Sequence, residues 1–200
     1  QAVAELIAQE LRGHGFEVRI SDNLDSFAAT QSLQRLDLIV PNWTMGEIKK
    51  EQLQPLMRAV ESGLGLGGCH GGMCDAFRNQ TDYQFMTGGQ FVAHPGGGKV
   101  SYEVKIADRE HFITRGSADF QVTSEQYYHH VDPANHVLAT TCFPSPGGEG
   151  PHTANGPVVM PQLWTRLWGQ GRVYYNALGH DLATLRRPEI LRLLVRGLLW

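Results

Sequence analysis

Cysteine is scarce in this sequence, and its spacing excludes two kinds of stabilising site. The 200 residues include three cysteines, at positions 69, 74 and 142. They form neither the paired spacing of a zinc ribbon nor the even framework of a disulfide-rich secreted domain. An odd and sparse cysteine set is typical of a reducing compartment. We therefore expect a cytoplasmic protein.

Basic clusters and long apolar runs are also missing. Lysine and arginine total 17 against 20 acidic residues, which gives a formal net charge of −3. Because nucleic acids and anionic membrane surfaces attract basic patches, we expect neither as a partner. No apolar segment approaches the roughly 20 residues that a membrane-spanning helix needs. The hydrophobic share of 42% is that of an ordinary globular chain.

Three familiar site motifs are absent. The sequence has no Walker phosphate loop, no Gly-x-Gly-x-x-Gly fingerprint after a strand and no His-Glu-x-x-His zinc motif. It is instead rich in glycine and histidine, with 23 and nine residues. Glycine marks places where the backbone turns sharply or closely approaches a neighbour, and histidine suits proton transfer or metal binding near neutral pH.

The first half of the chain alternates between helix and strand. This order implies right-handed βαβ units around a parallel sheet. It begins on a helix where a first strand should stand, so we expect that strand to precede Gln1. The predicted elements are a helix over residues 2–12, a strand over 16–20, a helical turn over 32–36, a strand over 36–40, a helix over 49–62, a strand over 64–68 and a helical segment over 73–78.

The second half is richer in strands. Alternating and apolar runs predict five of them, and the sequence Trp-Gly-Gln-Gly at 168–171 predicts a hairpin between the last two. Residues 143–157, rich in proline and glycine, are predicted to form a flexible surface loop. The predicted elements are strands over residues 100–107, 120–123, 137–141, 163–167 and 172–177, followed by a helix over 189–200 with a proline at its first turn.

The sequence Gly-Gly-Cys-His-Gly-Gly at residues 67–72 predicts a sharp elbow between a strand and a helix. Glycines around a tight turn allow its central side chain to be exposed on a strained backbone. Two registers fit this run equally well: one puts Cys69 at the centre, and the other His70. The spacing alone leaves both open, together with a turn that serves only close packing.

Further candidates lie after other strands. His180 follows a predicted strand, and ligands bind at the carboxyl ends of strands in open α/β sheets. Residues 124–130, Ser-Glu-Gln-Tyr-Tyr-His-His, gather groups that can bind a polyol or transfer protons. Adjacent His129 and His130 should point to opposite faces of a strand, which argues against a shared metal, whereas Glu125 and Tyr127 can share a face.

Four segments together resemble the trehalose-utilisation (ThuA-like) family over nearly the whole chain. They are the elbow at 67–72, Gly-Gly-Gln-Phe-Val-Ala-His-Pro at 88–95, Glu-Gln-Tyr at 125–127, and the stretch from 161 to 181 that ends in Gly-His-Asp. The last is the most specific. Ser124 departs from the aspartate of the family's Asp-Glu-x-Tyr pattern.

This resemblance implies a single α/β domain over residues 1–200. The expected fold is a three-layer, flavodoxin-like parallel sheet flanked by helices, as in class I glutamine amidotransferases, with extra strands in the middle of the chain. The family carries a histidine where those amidotransferases carry their nucleophilic cysteine. The resemblance therefore favours His70 at the centre of the elbow, with the side chain of Cys69 pointing into the sheet.

The implied function is the processing of a sugar, such as a disaccharide or an oxidised sugar. His70 and His180 would act as general acid and base or as ligands of a divalent metal such as zinc, and Glu125 would orient one of them. Two alternatives are a cysteine-dependent, amidotransferase-like enzyme that uses Cys69 and a non-catalytic sugar-binding module. The sequence leaves the oligomeric state open, a homo-oligomer included. The residues expected to contact the substrate are Tyr127, His94, Trp164, Cys69 and Asp181.

Overall fold

The amphipathic segments of the sequence form the long helices of the structure, a computed structural model that describes residues 1–145 and 149–200. Helices α1 (Ala2–Gly13), α3 (Lys50–Glu61) and α7 (Pro188–Leu199) each bury one apolar face, as their spacing predicts. Among the described residues no helix combines the length and the apolar character needed to cross a bilayer. The shorter helices are α2 (Thr30–Leu33), α4 (Gly71–Cys74), α5 (Thr81–Thr87) and α6 (Leu182–Leu185).

Within the described residues the strands form one large sheet and one small ribbon. The large sheet has the order β1-β2-β9-β8-β7-β4-β5, and β3 pairs with β6 in the antiparallel ribbon. The strands are β1 (Leu38–Ile39), β2 (Gly65–Cys69), β3 (Gly89–Ala93), β4 (Val100–Ile106), β5 (Phe120–Ser124), β6 (Tyr128–Val131), β7 (His136–Phe143), β8 (Val158–Trp168) and β9 (Gly171–Asn176).

The large sheet is mixed, which corrects the prediction of a parallel sheet. Strands β1, β2 and β9 run parallel to one another, and from β9 to β5 every pairing between described strands is antiparallel. The reason is the length of the connections. Strands β8 and β9 are joined by two residues, which suffices for a hairpin, whereas a parallel pair needs a long crossover that usually contains a helix.

Some local predictions were also wrong. Residues 16–20 form no strand: Phe16 and Val18 pack partly buried against the core, but no strand in the described part of the chain pairs with them. Ile20, the third apolar residue of this alternation, is 49% exposed, and the alternation carried no information about a partner strand. The helix predicted over 73–78 ends at Cys74, and helix α5 and strands β3 and β6 were not predicted. In the predicted loop over 143–157, residues 146–148 lie outside the described residues and Pro151–Asn155 form a 3₁₀ turn.

Helices pack on both faces of the sheet, and each face has its own core. Successive residues of β9 point in opposite directions, so Tyr174 belongs to one core, and Val173 and Tyr175 belong to the other. The first core includes residues of α1 and α7, and the second includes residues of α3 and α5. Strands β2 and β9 lie side by side with Cys69 opposite Asn176. The segments that follow them therefore emerge together at one edge.

Candidate functional site

The elbow after β2 presents His70 at this edge. His70 has the unusual backbone angles φ 50° and ψ −147°, and helix α4 begins at the next residue. Its backbone N–H donates to the carbonyl of Asn176 at 2.7 Å, which ties the elbow to the end of β9. A Cβ added at Gly72 would lie 2.6 Å from Asn42 Oδ1, so the chain needs glycine where it passes this close to its neighbour. The strained position belongs to His70 and not to Cys69.

Cys69 lies inside the first core, which corrects its assignment as a substrate-contacting residue. Its side chain is buried, and the burial raises the pKa of the thiol to about 12. A protonated thiol within the core is neither a nucleophile nor a substrate contact. The thiol-dependent alternative therefore has no support at this elbow.

The carboxylate of Glu125 lies close to ring nitrogens of three histidines. Its Oε2 atom lies 3.3 Å from His70 Nε2 and also 3.3 Å from His180 Nδ1. Its other oxygen, Oε1, lies 3.8 Å from His94 Nε2. The four residues come from four different connections, so the fold, and not the local sequence, assembles this group. We call His70, Glu125 and His180 the His-Glu-His cluster.

Segment 125–127 connects β5 to β6, and buried amides hold it in place. The side chain of Gln126 donates to Thr141 Oγ1 at 2.8 Å and to the carbonyl of Cys142 at 3.0 Å. The side chain of Gln162 donates to the carbonyl of Tyr127 at 2.9 Å. These bonds anchor the segment to β7 and β8, so Glu125 is presented by a rigid part of the fold.

Tyr127 orients His70 from inside the protein. The Tyr127 hydroxyl lies 3.0 Å from His70 Nδ1, and the two rings lie 4.0 Å apart between centroids. Burial, and then the neighbouring Glu125, raise the pKa of the Tyr127 phenol well above its ordinary value. The phenol is therefore protonated at neutral pH. Because Tyr127 itself is buried, its role in the structure is to position His70 and not to line a pocket.

The three histidines differ in their surroundings. Burial, followed by the nearby His180, lowers the pKa of His70 to about 3, so this imidazole is neutral near pH 7. The side chains of His94 and His180 are 40% and 42% exposed. The site therefore has one buried wall, formed by His70 and Tyr127, and an open side formed by the other two histidines.

The structure assigns other roles to Trp164 and Asp181. Trp164 is fully buried, donates its indole N–H to the carbonyl of Thr87 at 3.0 Å and packs on Tyr175, so its assignment to the pocket was wrong. Asp181 caps helix α6, since its Oδ1 accepts a hydrogen bond from the backbone N–H of Thr184 at 2.7 Å. This bond lowers the pKa of the Asp181 carboxyl.

Two neighbours of the site were missed from the sequence. The ring of Phe91 on β3 packs against that of Tyr127 in a tilted arrangement with 4.3 Å between centroids, and Phe91 lies in the same motif, residues 88–95, as His94. Thr44 lies beside the elbow: a Cβ added at Gly71 would be 3.2 Å from Thr44 Cγ2. Thr44 belongs to the loop after β1, and the rule that sites form beyond the carboxyl ends of parallel strands could have identified it.

Comparisons with known proteins agree with this architecture. The family model described as trehalose utilisation matches residues 1–200. A ThuA-like protein from Parabacteroides merdae superposes with a TM-score of 0.76 at 17% identity, over 100% of this chain and 83% of that one. One from Bacteroides uniformis gives a TM-score of 0.74 at 17% identity, over 98% and 81%. A cytoplasmic protein from Salmonella typhimurium gives 0.66 at 15% identity, over 94% and 80%. No curated protein matches the sequence.

Proposed function

We propose that this chain, which belongs to the trehalose-utilisation (ThuA) family, acts on a carbohydrate at the His-Glu-His cluster. Family membership supports a role in trehalose utilisation, and the substrate class we propose is a disaccharide or an oxidised sugar. The observation that carries the proposal is the carboxylate of Glu125, which lies 3.3 Å from a ring nitrogen of both His70 and His180. Such a group is equipped for chemistry at a sugar hydroxyl or carbonyl.

The cluster can act on a sugar oxygen in two ways. Two imidazoles and one carboxylate can relay a proton between a sugar hydroxyl and solvent, and they can equally hold a cation that polarises a sugar oxygen. Both ways require the three groups together. The exposed His94 and His180 form the side from which a sugar would approach, while Tyr127 fixes His70 from behind.

We extend the proposal to the fold and the location. The parallel strands β1, β2 and β9 with helices on both faces support the three-layer, flavodoxin-like arrangement of class I glutamine amidotransferases. A cytoplasmic location is supported by the sparse cysteines and by two structural neighbours from Salmonella typhimurium that are named cytoplasmic proteins.

The test is binding and turnover of sugars by the purified protein. Trehalose, other disaccharides and their keto derivatives are titrated by calorimetry, and the products are followed by mass spectrometry. Glu125→Gln and His180→Ala should each lower turnover by at least about 100-fold, the usual scale for a lost acid–base group. The thermal midpoint should change little, because the side chain of His180 is 42% exposed and a glutamine at position 125 keeps the size of the glutamate.

His136→Ala is the matched control. His136 is an exposed histidine that pairs with Asp108 at 2.8 Å and takes no part in the cluster. This variant should keep wild-type turnover. Full activity in both cluster variants would contradict the proposal, as would the absence of any sugar binding or turnover. Binding without turnover would contradict the catalytic part and favour a sugar-binding module.

A further inference from the structure

The His-Glu-His cluster has the spacing of a metal site. Zinc binds imidazole nitrogen at about 2.0–2.1 Å and carboxylate oxygen at about 2.0–2.2 Å in tetrahedral geometry, so neighbouring ligand atoms lie about 3.3–3.5 Å apart. Glu125 Oε2 lies 3.3 Å from His70 Nε2 and 3.3 Å from His180 Nδ1. All three atoms lie within 4.8 Å of one another. From this spacing we propose that they bind a divalent cation of the zinc type.

A second observation concerns the hydrogen bonds of His70. Its Nδ1 is engaged by the Tyr127 hydroxyl, which leaves Nε2 to face the carboxylate. Nε2 is buried and makes no hydrogen bond within the described residues, although Glu125 Oε2 is only 3.3 Å away. A buried polar atom this close to a possible partner normally pairs with it. A cation between them satisfies both, because each offers it a lone pair.

The surroundings are those of an open site. The hydroxyl of Tyr127 fixes the orientation of the His70 ring through its second nitrogen, as outer-shell partners of metal-binding histidines do. Three protein ligands leave a fourth position free, which distinguishes catalytic zinc sites from structural ones. His180, 42% exposed, places that position within reach of solvent, and His94 lies beside it.

The ligand set selects the class of cation. Imidazole nitrogens favour zinc and its first-row neighbours, whereas magnesium and calcium prefer sites built from oxygen atoms alone. If the proposed sugar function holds, the cation's open position receives a hydroxyl or carbonyl oxygen of the sugar and polarises it. The inference about the cation itself stands on the cluster geometry and is independent of the identity of the sugar.

The experiment measures zinc binding by the full chain. The protein is stripped with EDTA, freed of chelator and titrated with zinc chloride by calorimetry, and cobalt(II) absorption reports the coordination geometry. The wild type should bind one zinc per chain. Glu125→Gln and His180→Ala should each raise the Kd by at least about 100-fold, and Tyr127→Phe by about 10-fold, since outer-shell partners contribute 10–100-fold. Circular dichroism confirms that each variant is folded, and His180→Gln provides a second exchange at that position.

His136→Ala is again the control, because His136 lies beside His111 and pairs with Asp108 outside the cluster. It should bind zinc as the wild type does. The inference is overturned if the wild type binds no stoichiometric zinc, if the cluster variants bind as tightly as the wild type, or if His136→Ala abolishes binding.

The two proposals can fail separately. Sugar binding and turnover are compared in the stripped and the zinc-loaded protein. Equal turnover by the stripped and the zinc-loaded protein, with no zinc bound at the cluster, would overturn the cation proposal and leave the sugar proposal intact. Zinc binding that depends on Glu125 and His180, without binding or turnover of any sugar, would overturn the sugar proposal and leave the cation proposal intact.

Discussion

Cys69 and His70 are adjacent in the chain but lie in different surroundings. Strand β2 ends at Cys69, whose side chain points into the first core, and the backbone then turns so that His70 faces Glu125. The same burial that protects the thiol raises its pKa to about 12. Which of these two adjacent residues stands at the centre of the elbow therefore decides between thiol chemistry and histidine chemistry.

Alkylation tests this difference directly. Iodoacetamide at neutral pH should modify Cys142, which is exposed, and should leave Cys69 and Cys74 unmodified, since both are buried and have raised thiol pKa values. Intact mass should show one added group, and peptide mapping should place it on Cys142. In denaturant all three should react. Modification of native Cys69 as fast as Cys142 would contradict the structure and restore the thiol alternative.

His129 gives the protein a dependence of stability on pH. Burial lowers its pKa from 6.5 to about 3, and its ring neighbours Tyr127, Trp164 and Tyr175 are uncharged. Between pH 6.5 and about pH 3, His129 is therefore protonated in the unfolded chain but neutral in the folded one. Stability from this residue is full above pH 6.5 and falls as the pH drops, by about 2 kcal/mol between pH 6.5 and pH 4.5.

The measurement is urea unfolding of the wild type and of His129→Gln at both pH values. The introduced glutamine keeps a polar atom near the Tyr175 hydroxyl, which lies 3.2 Å from His129 Nε2, but it does not titrate. The variant should start less stable and then lose about 2 kcal/mol less than the wild type. Equal losses in the two proteins would show that His129 is not the buried neutral base.

Residue types identified the site only in part. The sequence and its resemblance proposed His70, Glu125 and His180 as site residues, and the structure brings these three side chains together. They misplaced Trp164, whose large apolar ring serves a core as well as a sugar. They also listed Asp181 as a substrate contact, although an aspartate before a helix is equally suited to capping it. Whether such a residue contacts a substrate or stabilises the fold depends on its burial and its hydrogen-bond partners, and the residue type alone reveals neither.

At the scale of elements, amphipathic spacing located α1, α3 and α7 and most strands of the large sheet. It failed where partners matter: residues 16–20 have the alternation of a strand but no strand to pair with among the described residues. It also missed β3 and β6, the two strands of the small ribbon beside the site. The hairpin predicted at 168–171 is present and joins β8 to β9, but apolar spacing alone gave no direction for β4, β5 and β7.

Helix α7 packs unusually close to the sheet, and Gly197 permits this. A Cβ at Gly197 would lie 1.9–2.2 Å from three ring atoms of Tyr174 on β9. Tyr174 cannot move easily, because it is buried and its hydroxyl donates to the carbonyl of Leu193 at 3.0 Å. Gly197→Ala should therefore destabilise the protein by about 3 kcal/mol through overpacking, as measured by urea unfolding.

Gly13→Ala is the control for that change. Gly13 ends helix α1, and an added Cβ there would meet nothing within 4 Å. Its stability should remain within about 1 kcal/mol of the wild type, with a gain expected from the lower entropy of the unfolded chain. Similar stabilities for the two alanine variants would mean that α7 does not approach Tyr174 so closely.

At the scale of the whole molecule, the two cores share one sheet. Strand β9 contributes Tyr174 to one core and Tyr175 to the other, so loosening either core should disturb the common strand. The parallel half of the sheet carries the elbow and His180, and the antiparallel half carries Glu125 at the end of β5. The candidate site therefore exists only when both halves are assembled.

This arrangement predicts one cooperative unfolding unit. Leu193 of the first core and Leu56 of the second are both fully buried, so Leu193→Ala and Leu56→Ala should each cost about 2–5 kcal/mol. Urea unfolding is followed by far-UV circular dichroism, which reports the whole fold, and by tryptophan fluorescence, to which the buried Trp164 of the second core contributes. The two curves should coincide in both variants, because the shared sheet couples the cores. If Leu193→Ala shifted the dichroism curve and left the fluorescence curve at its wild-type midpoint, the cores would unfold separately, and residues 1–200 would not behave as a single domain.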